Sequence, residues 1–384
     1  MANGSNRSRR STGPRILTLF GTRPEAIKLA PVVHALAARP DRLDTITVSS
    51  AQHTDLVRPF TDAFEITIDV DLEVGAADQT PADVFSAVLA RLDAVLERER
   101  PDAVLVQGDT TTAAAGALAA FYRKIPVGHV EAGLRSGDPL SPFPEEMNRR
   151  VITRLASLHF AATTRNVATL KAEGIDETSI ALTGNPVVDA VAWAVENTTA
   201  SSRVTEILTA AASERLVVLT THRRESFGEV MTDRLRALGR FVEAHDDVAL
   251  VFPVHPNPEV RRAVEAALAG TDGVHLVDPL GYLDFVHLLA HAWLVVSDSG
   301  GIQEEAPSLG KPVLVIRENT ERPEAIEAGV ARLVGRSAAE LERLLEECYV
   351  DPGWTEQVKV IANPFGERGA GERIVDALER FLER

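Results

Sequence analysis

Short apolar runs alternate with longer amphipathic stretches through most of the chain. Apolar runs of this length, each followed by a turn and a helical pattern, are typical of strands buried between two layers of helices. The runs that predict strands are residues 15–20, 45–49, 103–107, 126–130 and 158–162 in the first half, and 215–220, 249–253, 274–277, 294–297 and 312–316 in the second. This repeated strand–helix alternation predicts an α/β fold with parallel sheets.

The alternation occurs in both halves, which predicts two Rossmann-like, doubly wound domains facing a cleft. A chain of 384 residues also exceeds the size of one ordinary hydrophobic core. We expect the first domain to cover residues 15–185 and the second to cover residues 186–367. The amphipathic C-terminal stretch 368–384 is expected to pack back onto the first domain, and the polar residues 1–14 are expected to form a disordered leader.

The overall charge narrows the classes of ligand that we expect this protein to bind. The net charge is −16, and an acidic protein of this size repels nucleic acid and anionic membrane surfaces. The single cysteine, Cys348, excludes a disulfide within the chain and fits a reducing, cytoplasmic setting. A phosphorylated ligand would therefore need cations that are concentrated locally.

The turn after the first predicted strand is a candidate anion site. In doubly wound sheets, ligands bind beyond the carboxyl ends of the strands. Gly21 permits a tight turn there, and the N–H groups of the following helix, with Arg23 and Lys28, favour an anion. The alternative is an ordinary turn with surface cations. The pattern is not G-x-G-x-x-G, so a dinucleotide site is not predicted.

Three acidic residues follow later strands of the first half. Asp109 comes directly after a strand, Glu131 lies at the end of the next strand, and Glu145 lies in a helix first turn. The structural alternatives are an N-cap for Asp109 and a helix-dipole partner for Glu145. For Glu131 the alternative is a salt bridge to Arg135. Several carboxylates around one ligand suit general acid–base chemistry, because crowding separates their pKa values.

The second half contains its own candidate phosphate site. Ser299, Gly300 and Gly301 open a helix directly after a strand, and Glu305 lies one turn further on, where it suits ribose hydroxyls. The alternative is a glycine-rich helix start with a surface acid. Further candidates at strand–helix turns are His222 and Arg322. The histidines show no ligand-like spacing, so the sequence predicts no metal. Phosphate sites combined with grouped carboxylates indicate a nucleotide sugar as ligand.

Seven segments in order along the chain carry a family resemblance. They are GTRPEAIKLAP, GDTTT, HVEAGLRSGD, PFPEEMNR, THRRESFG, SDSGGIQEEAPSLGKP and TERPEA. Together they closely resemble segments of the non-hydrolysing UDP-N-acetylglucosamine 2-epimerases. The resemblance implies the two-domain glycosyltransferase-B (GT-B) architecture, a homodimer and no cofactor. It also implies anti elimination of UDP from UDP-N-acetylglucosamine (UDP-GlcNAc) to a 2-acetamidoglucal. UDP then adds back to give UDP-N-acetylmannosamine (UDP-ManNAc), a precursor of cell-surface polysaccharide.

The resemblance also assigns roles to residues. Asp109, Glu131 and Glu145 match the acid–base carboxylates, and Phe285 matches the residue that stacks on uracil. The other positions that match sugar, phosphate or nucleotide contacts are Arg23, Lys28, Arg135, His222, Ser299, Gly300, Gly301, Glu305 and Arg322. Gln52 and His53 match part of an activating second substrate site of some bacterial relatives. Asp55 and Asp78 depart from the pattern of that site.

Three rival functions remain open from the sequence. A hydrolysing epimerase would release UDP and free N-acetylmannosamine, although the segments around Asp109 and Glu131 favour the non-hydrolysing type. A retaining glycosyltransferase of the same architecture would need an acceptor and would leave the proton at carbon 2 in place. A nucleotide-sugar sensor would bind without turnover, which the three carboxylates disfavour.

Overall fold

The computed structural model describes residues 13–51, 54–76, 78–211, 215–221, 229–254 and 257–384. These residues form two compact units. The first unit comprises the chain up to Ala190 together with Gly366–Arg384, and the second comprises Val191–Phe365. Most of the expected leader lies outside the described residues.

The first unit is built on a parallel sheet. Its strands are β1 (Arg15–Phe20), β2 (Asp44–Ser49), β3 (Val70–Asp71), β4 (Ala103–Gln107), β5 (Val127–Ala132), β6 (Leu158–Ala161) and β7 (Ile180–Leu182). Its helices are α1 (Arg23–Ala37), α2 (Thr54–Ala63), α3 (Pro81–Glu99), α4 (Thr111–Tyr122), α5 (Glu145–Leu155), α6 (Thr164–Ala172) and the start of α7 (Val187–Asn197). The strand order is β3-β2-β1-β4-β5-β6-β7.

The second unit repeats this arrangement with different residues. Its strands are β8 (Arg215–Thr220), β9 (Val248–Pro253), β10 (Val274–Val277), β11 (Leu294–Ser297), β12 (Val313–Val315) and β13 (Ala331–Leu333). Its helices are α8 (Ser202–Ala210), α9 (Glu229–Ala244), α10 (Pro258–Leu268), α11 (Tyr282–Ala290), α12 (Gly300–Glu305), α13 (Pro323–Glu327), α14 (Ala338–Val350) and α15 (Gly353–Val358). The strand order is β10-β9-β8-β11-β12-β13.

The predicted α/β class with parallel sheets is confirmed. All pairings between these strands are parallel, and the chain reverses its direction of travel across each sheet once, between β1 and β4 and between β8 and β11. Such switch points leave a crevice at the carboxyl ends of the two central strands, where ligands bind in doubly wound folds. The strands that the sequence pattern missed are β3, β7 and β13, which are short and only partly buried at or near the sheet edges.

Side-chain alternation on the central strands builds the cores. In β8, Val217 and Leu219 belong to the apolar cluster on one face of the sheet, and Leu216 and Val218 belong to the cluster on the other. This two-residue period, with both faces apolar, is what a strand covered by helices on both sides requires. Within the part of the chain that the structure describes, no helix is both long and apolar enough to cross a membrane.

The C-terminal helix α16 (Ala370–Leu382) belongs to the first unit and packs on α1. A side chain at Gly371 would place its Cβ 2.7 Å from the carbonyl oxygen of Pro31, so glycine permits the close approach. Arg39, just after the end of α1, forms ion pairs with three acids of α16, which are Glu372, Asp376 and Glu379. The helix is thus fixed to the first unit by both packing and charge.

A buried ion cluster fixes the start of β1. The Nε atom of Arg15 lies 2.6 Å from Asp44, and its Nη1 atom lies 3.0 Å from Glu99. The three side chains are between 3% and 8% exposed, so little solvent screens their charges. Removing one member would leave the others buried without compensation.

We predict that Arg15→Ala lowers the free energy of unfolding by about 3–5 kcal/mol, because it leaves two buried carboxylates without their cation. Urea denaturation followed by circular dichroism measures the change. Lys171→Ala removes an exposed pair with Glu177 from the same unit and serves as the matched control. Equal stability of the two variants would contradict the prediction.

Candidate active site

The candidate side chains of the first unit gather at its switch point. The loops after β1, β4 and β5 leave the same edge of the sheet, since these strands are parallel neighbours. Lys28 comes from the helix after β1, and Asp109 from the loop after β4. Glu131 lies at the end of β5 itself.

Glu131 forms an ion pair with Lys28. Its other oxygen accepts a hydrogen bond from Gln107, and Asn185 donates to the paired oxygen at 3.3 Å. The Glu131 and Lys28 side chains are 9% and 10% exposed, so water has little contact with them. Each charge is therefore compensated mainly by the other. Glu131 has a φ of 65°, at a register irregularity between β5 and β6. A left-handed conformation in a residue other than glycine is costly and concentrates at functional sites.

Asp109 is bound to the helix α5. Its carboxylate lies 2.5 Å from the guanidinium of Arg149, and its carbonyl oxygen accepts a hydrogen bond from Asn148 at 2.8 Å. Arg149 also contacts Glu146, at 2.9 Å. The Asp109 side chain is 25% exposed, so it remains accessible while its charge is compensated.

Glu145 and Glu146 are neighbours with different environments. Glu146 is completely buried. Burial alone would raise its pKa, but hydrogen bonds from the Ser136 N–H, Arg149 and Arg150 outweigh that and hold the pKa below its usual range. Glu146 is therefore a permanent anion that orders the arginines. The Oε2 atom of Glu145, in contrast, is buried and makes no hydrogen bond within the described residues. Such an atom in a native fold calls for a functional explanation.

His129 lies behind the loop that carries Asp109. Its Nε2 atom lies 2.8 Å from the carbonyl oxygen of Gly108, while its Nδ1 atom is buried without a hydrogen-bond partner among the described residues. Burial lowers the pKa of His129 to about 3. The ring is therefore neutral at physiological pH, and Nε2 carries the proton because a carbonyl oxygen can only accept.

The second unit presents a helix start at its own switch point. Ser299 is the N-cap of α12, which begins directly after β11. The guanidinium of Arg322 covers the first residue of that helix, because a Cβ on Gly300 would lie 2.9 Å from the Arg322 Cζ. Glu304 is 2% exposed and accepts a hydrogen bond from the Arg322 Nε at 2.9 Å, which orients the cation.

Carboxylates with distinct partners surround this helix start. Glu305 is buried at the end of α12. Asp298 is fully buried and accepts a hydrogen bond from the Thr221 hydroxyl at 2.7 Å. Glu321 accepts two hydrogen bonds from Arg317, and although burial opposes it, these bonds and nearby cations lower its pKa to about 2.

Comparison with known proteins gives the family. The family model described as UDP-N-acetylglucosamine 2-epimerase matches residues 34–379. The chain belongs to this family.

Close relatives of known description support the assignment to the epimerase family. The UDP-N-acetylglucosamine 2-epimerase of Bacillus subtilis is 44% identical over 365 residues, which cover 95% of this chain and 94% of that one. The protein of the same description from Escherichia coli K12 is 44% identical, with coverages of 95% and 98%. A solved structure of the Neisseria meningitidis epimerase bound to UDP-GlcNAc superposes with a TM-score of 0.88 at 39% identity, covering 95% of this chain and 100% of that one. The resemblance predicted from the sequence segments is thereby confirmed.

The epimerase fold brings some predicted site residues together and separates others. Lys28 and Glu131 are in direct contact, and Asp109 contacts the helix that begins with Glu145. Arg23 is exposed, with its guanidinium 4.8 Å from the centre of the Phe60 ring.

Other predicted residues make contacts of their own or fall outside the described residues. Arg135 binds the carboxylate of Glu173 with two hydrogen bonds of 2.8 Å, and also donates to the Thr153 hydroxyl and the Leu134 carbonyl oxygen. Most of its donors are thus used within the protein. Phe285 on α11 is partly buried against an apolar cluster of the second unit. The predicted residues Gln52, His53 and His222 lie outside the described residues.

The sequence reasoning missed several side chains of the site. Arg149 pairs with Asp109, and Glu304 orients Arg322. The partners are far apart in the sequence, so their spacing does not predict the contacts. Glu25 accepts hydrogen bonds from the N–H groups of Gly21 and Thr22 at 3.0 and 2.8 Å. These two N–H groups, which precede α1, are therefore bound by the chain itself, and whether the helix start takes an external anion stays a prediction. The spacing Thr22-x-x-Glu25 is a capping-box pattern that could have revealed the bonds to Glu25.

We predict that His129 makes stability depend on pH on the acid side. The unfolded chain takes up a proton on this histidine near its ordinary pKa of 6.5, whereas the folded protein does not until about pH 3. Its stabilising contribution is therefore complete above pH 6.5 and is lost progressively as the pH falls below that value. Urea denaturation midpoints at pH 7 and pH 4 measure this loss.

The variant His129→Gln keeps a donor for Gly108 and does not titrate, so it should lose less stability than the wild type between those two pH values. His291→Gln, at an exposed histidine, should behave like the wild type. The same loss in His129→Gln as in the wild type would contradict the role of His129.

Proposed function

We propose that this chain interconverts UDP-GlcNAc and UDP-ManNAc by moving a proton at carbon 2 of the sugar, without a redox cofactor. The observation that carries the proposal is the grouping of Asp109, Glu131 and Glu145 at the switch point of the first unit. Membership of the epimerase family and the UDP-GlcNAc complex of the Neisseria meningitidis relative support it.

The chemistry requires more than one carboxylate. The C2–H bond of the sugar is not acidic, because its neighbours are not carbonyl carbons. In the elimination, one carboxylate accepts the C2 proton, the electron pair forms the C1–C2 double bond, and the C1–O bond breaks with its pair leaving on UDP. In the return step UDP attacks C1, and a proton reaches C2 from the opposite face. Groups on both faces of the ring are therefore needed, in different protonation states.

The three carboxylates lie in different environments, which suits different roles for them in the proton transfer. Glu131 is paired with Lys28, and Asp109 is paired with Arg149. Glu145 has no cation within hydrogen-bond distance among the described residues, and one of its oxygens is buried and unbonded. We propose that Glu145 and the two cation-paired carboxylates take different roles in the proton transfer.

The second unit supplies the groups for the nucleotide in this proposal. Ser299, Gly300 and Gly301 present the start of α12, with Arg322 beside it, to the pyrophosphate. Glu305 is proposed to bind the ribose hydroxyls. Phe285 is proposed to stack on uracil, and His222 to contact the diphosphate.

The finer biological setting is also a proposal. We propose a cytoplasmic homodimer that supplies UDP-ManNAc for cell-surface polysaccharide, in line with the family resemblance. The hydrolysing reaction is the second candidate, and a retaining glycosyltransferase the third. The hydrolysing reaction differs in releasing the free sugar, and the glycosyltransferase differs in leaving the C2 proton in place.

Incubation of the protein with UDP-GlcNAc alone in heavy water tests the proposal. We expect deuterium at carbon 2 of both UDP-sugars, because the intermediate is protonated from exchangeable carboxyl groups. Nuclear magnetic resonance of the products measures the incorporation. Accumulation of free N-acetylmannosamine would favour the hydrolysing reaction instead, and UDP-GlcNAc without deuterium would contradict the proposal.

We predict that Asp109→Asn, Glu131→Gln and Glu145→Gln each lower the turnover rate by about 10²-fold or more, because each removes a proton-transfer group. Binding of UDP, measured by calorimetry, should change little, since the nucleotide groups are assigned to the second unit. Asp83→Asn alters an exposed acid of α3 and should turn over at the wild-type rate. Wild-type turnover in all three carboxylate variants would remove the proposed acid–base set.

We predict that Arg322→Ala weakens UDP binding by about 10-fold or more, the effect of losing a charge-assisted hydrogen bond. Glu304→Gln should weaken binding less, because the amide still orients Arg322 through one oxygen. Arg343→Ala removes an exposed arginine of α14 and is the matched control. An unchanged dissociation constant for UDP in Arg322→Ala would contradict the assignment.

A further inference from the structure

We propose that Glu25 is a positioning residue for the epimerisation, because its buried carboxylate ties the loop after β1 to the loop after β4. The inference rests on the proposed function. Glu25 is 1% exposed, so it is placed to act through its neighbours and not on the sugar itself. Its proposed effect is to fix the position of Lys28 relative to Asp109.

The carboxylate of Glu25 uses both oxygens. Its Oε2 atom accepts from the backbone N–H groups of Gly21 and Thr22, at 3.0 and 2.8 Å. Its Oε1 atom accepts from the hydroxyl of Thr110 at 2.6 Å. The first two bonds hold the start of α1, and the third reaches across to the residue that follows Asp109.

Thr110 is the donor in the hydrogen bond that connects it to Glu25. Its hydroxyl oxygen is the N-cap of α4, where it accepts a hydrogen bond from the N–H of Ala113 at 3.0 Å. A hydroxyl has one proton, and here that proton is donated to Glu25. The start of α4, the residue after Asp109 and the start of α1 therefore form one hydrogen-bonded unit.

Neighbouring contacts reinforce the same junction. Ser50, after β2, exchanges a hydrogen bond of 3.0 Å with Thr112 in the first turn of α4. Both side chains are fully buried. A Cβ on Gly21 would lie 2.1 Å from the Ser50 hydroxyl oxygen, so the loop after β1 has no room for a side chain at that position. The loops after β1, β2 and β4 are thus packed together with little freedom.

Capping alone does not explain a carboxylate at this position. A capping box works with either glutamine or glutamate, and burying a charge is costly. Burial raises the pKa of Glu25 to about 7. A glutamine would keep one acceptor oxygen for Gly21 and Thr22, but its amide would have to donate to the Thr110 hydroxyl, which reverses the hydrogen bond that glutamate accepts there. The link to Thr110 is therefore what distinguishes glutamate from glutamine here.

The arrangement also bears on where the substrate phosphates bind. A helix N-terminus attracts anions, and the two backbone N–H groups just before α1, those of Gly21 and Thr22, are already bound by a carboxylate of the chain itself. The pyrophosphate is therefore assigned to the second unit alone, and Lys28 is left to Glu131 and the sugar. In this account the start of α1 is a fixed support for Lys28, which lies one turn further along the helix.

The test compares Glu25→Gln with Asp83→Asn. Asp83 caps α3 through an equivalent capping box with Thr80 but is exposed and lies apart from the candidate site residues named above. We expect Glu25→Gln to lower kcat by about 10- to 100-fold, the effect of a small misplacement of catalytic groups. KM and the dissociation constant of UDP should stay within about two-fold, since the nucleotide groups are untouched. Asp83→Asn should keep the wild-type kcat.

A second pair of variants keeps the inference testable if Glu25→Gln does not fold. Thr110→Ser retains the hydroxyl and should lose much less turnover than Thr110→Ala. Where Glu25→Gln does fold, the double variant Glu25→Gln, Thr110→Ala should be no slower than the slower single variant, because both changes break one link.

The outcomes separate this inference from the proposed function. Failure of the wild type to interconvert the two UDP-sugars would overturn the proposed function. If the wild type is active, a wild-type kcat in Glu25→Gln would overturn the positioning role alone. Equal losses in Glu25→Gln and Asp83→Asn, or additive losses in the double variant, would also overturn it.

Discussion

Charge compensation among closely spaced carboxylates is the constraint on which the first unit depends. Acidic groups at the carboxyl ends of neighbouring strands repel one another strongly where solvent is excluded. Three of them in the described residues are therefore held by different partners. Lys28 pairs with Glu131, Arg149 with Asp109, and backbone N–H groups bind Glu25. The carboxylates therefore lie in different electrostatic environments, which suits the proposed acid–base chemistry on two faces of a sugar.

The same topology serves a different task in the second unit. Its switch point also lies between two central strands, but the helix start there is short and rich in glycine, and a cation covers it. In the first unit, the two N–H groups just before the equivalent helix are bound by Glu25. One fold thus yields an acidic site and an anion site, according to which side chain lies at the helix N-terminus. In the proposal, this is how a chain of net charge −16 binds a nucleotide diphosphate.

Most of the fold was predictable from the sequence, because the central strands are buried on both faces and read as continuous apolar runs. The edge strand β3 and the short β7 were not, since their residues are partly exposed and too few to form a pattern. For the candidate site, residue types and their strand-end positions pointed to loops that lie together at one edge of the first sheet. Partners such as Lys28 and Glu131, 103 residues apart, depend on tertiary packing that spacing does not encode. Glu25 was readable as a cap, but its bond to Thr110 was not.

The most direct test of the account is a crystal structure of the Asp109→Asn variant with UDP-GlcNAc, in which slow turnover preserves the complex. The account predicts that an oxygen of Glu131 or Glu145 lies within about 3.5 Å of carbon 2 of the sugar, close enough for proton transfer. It also predicts the pyrophosphate at the start of α12, beside Arg322. A hexose ring bound away from these carboxylates, or phosphates bound at the start of α1, would contradict it.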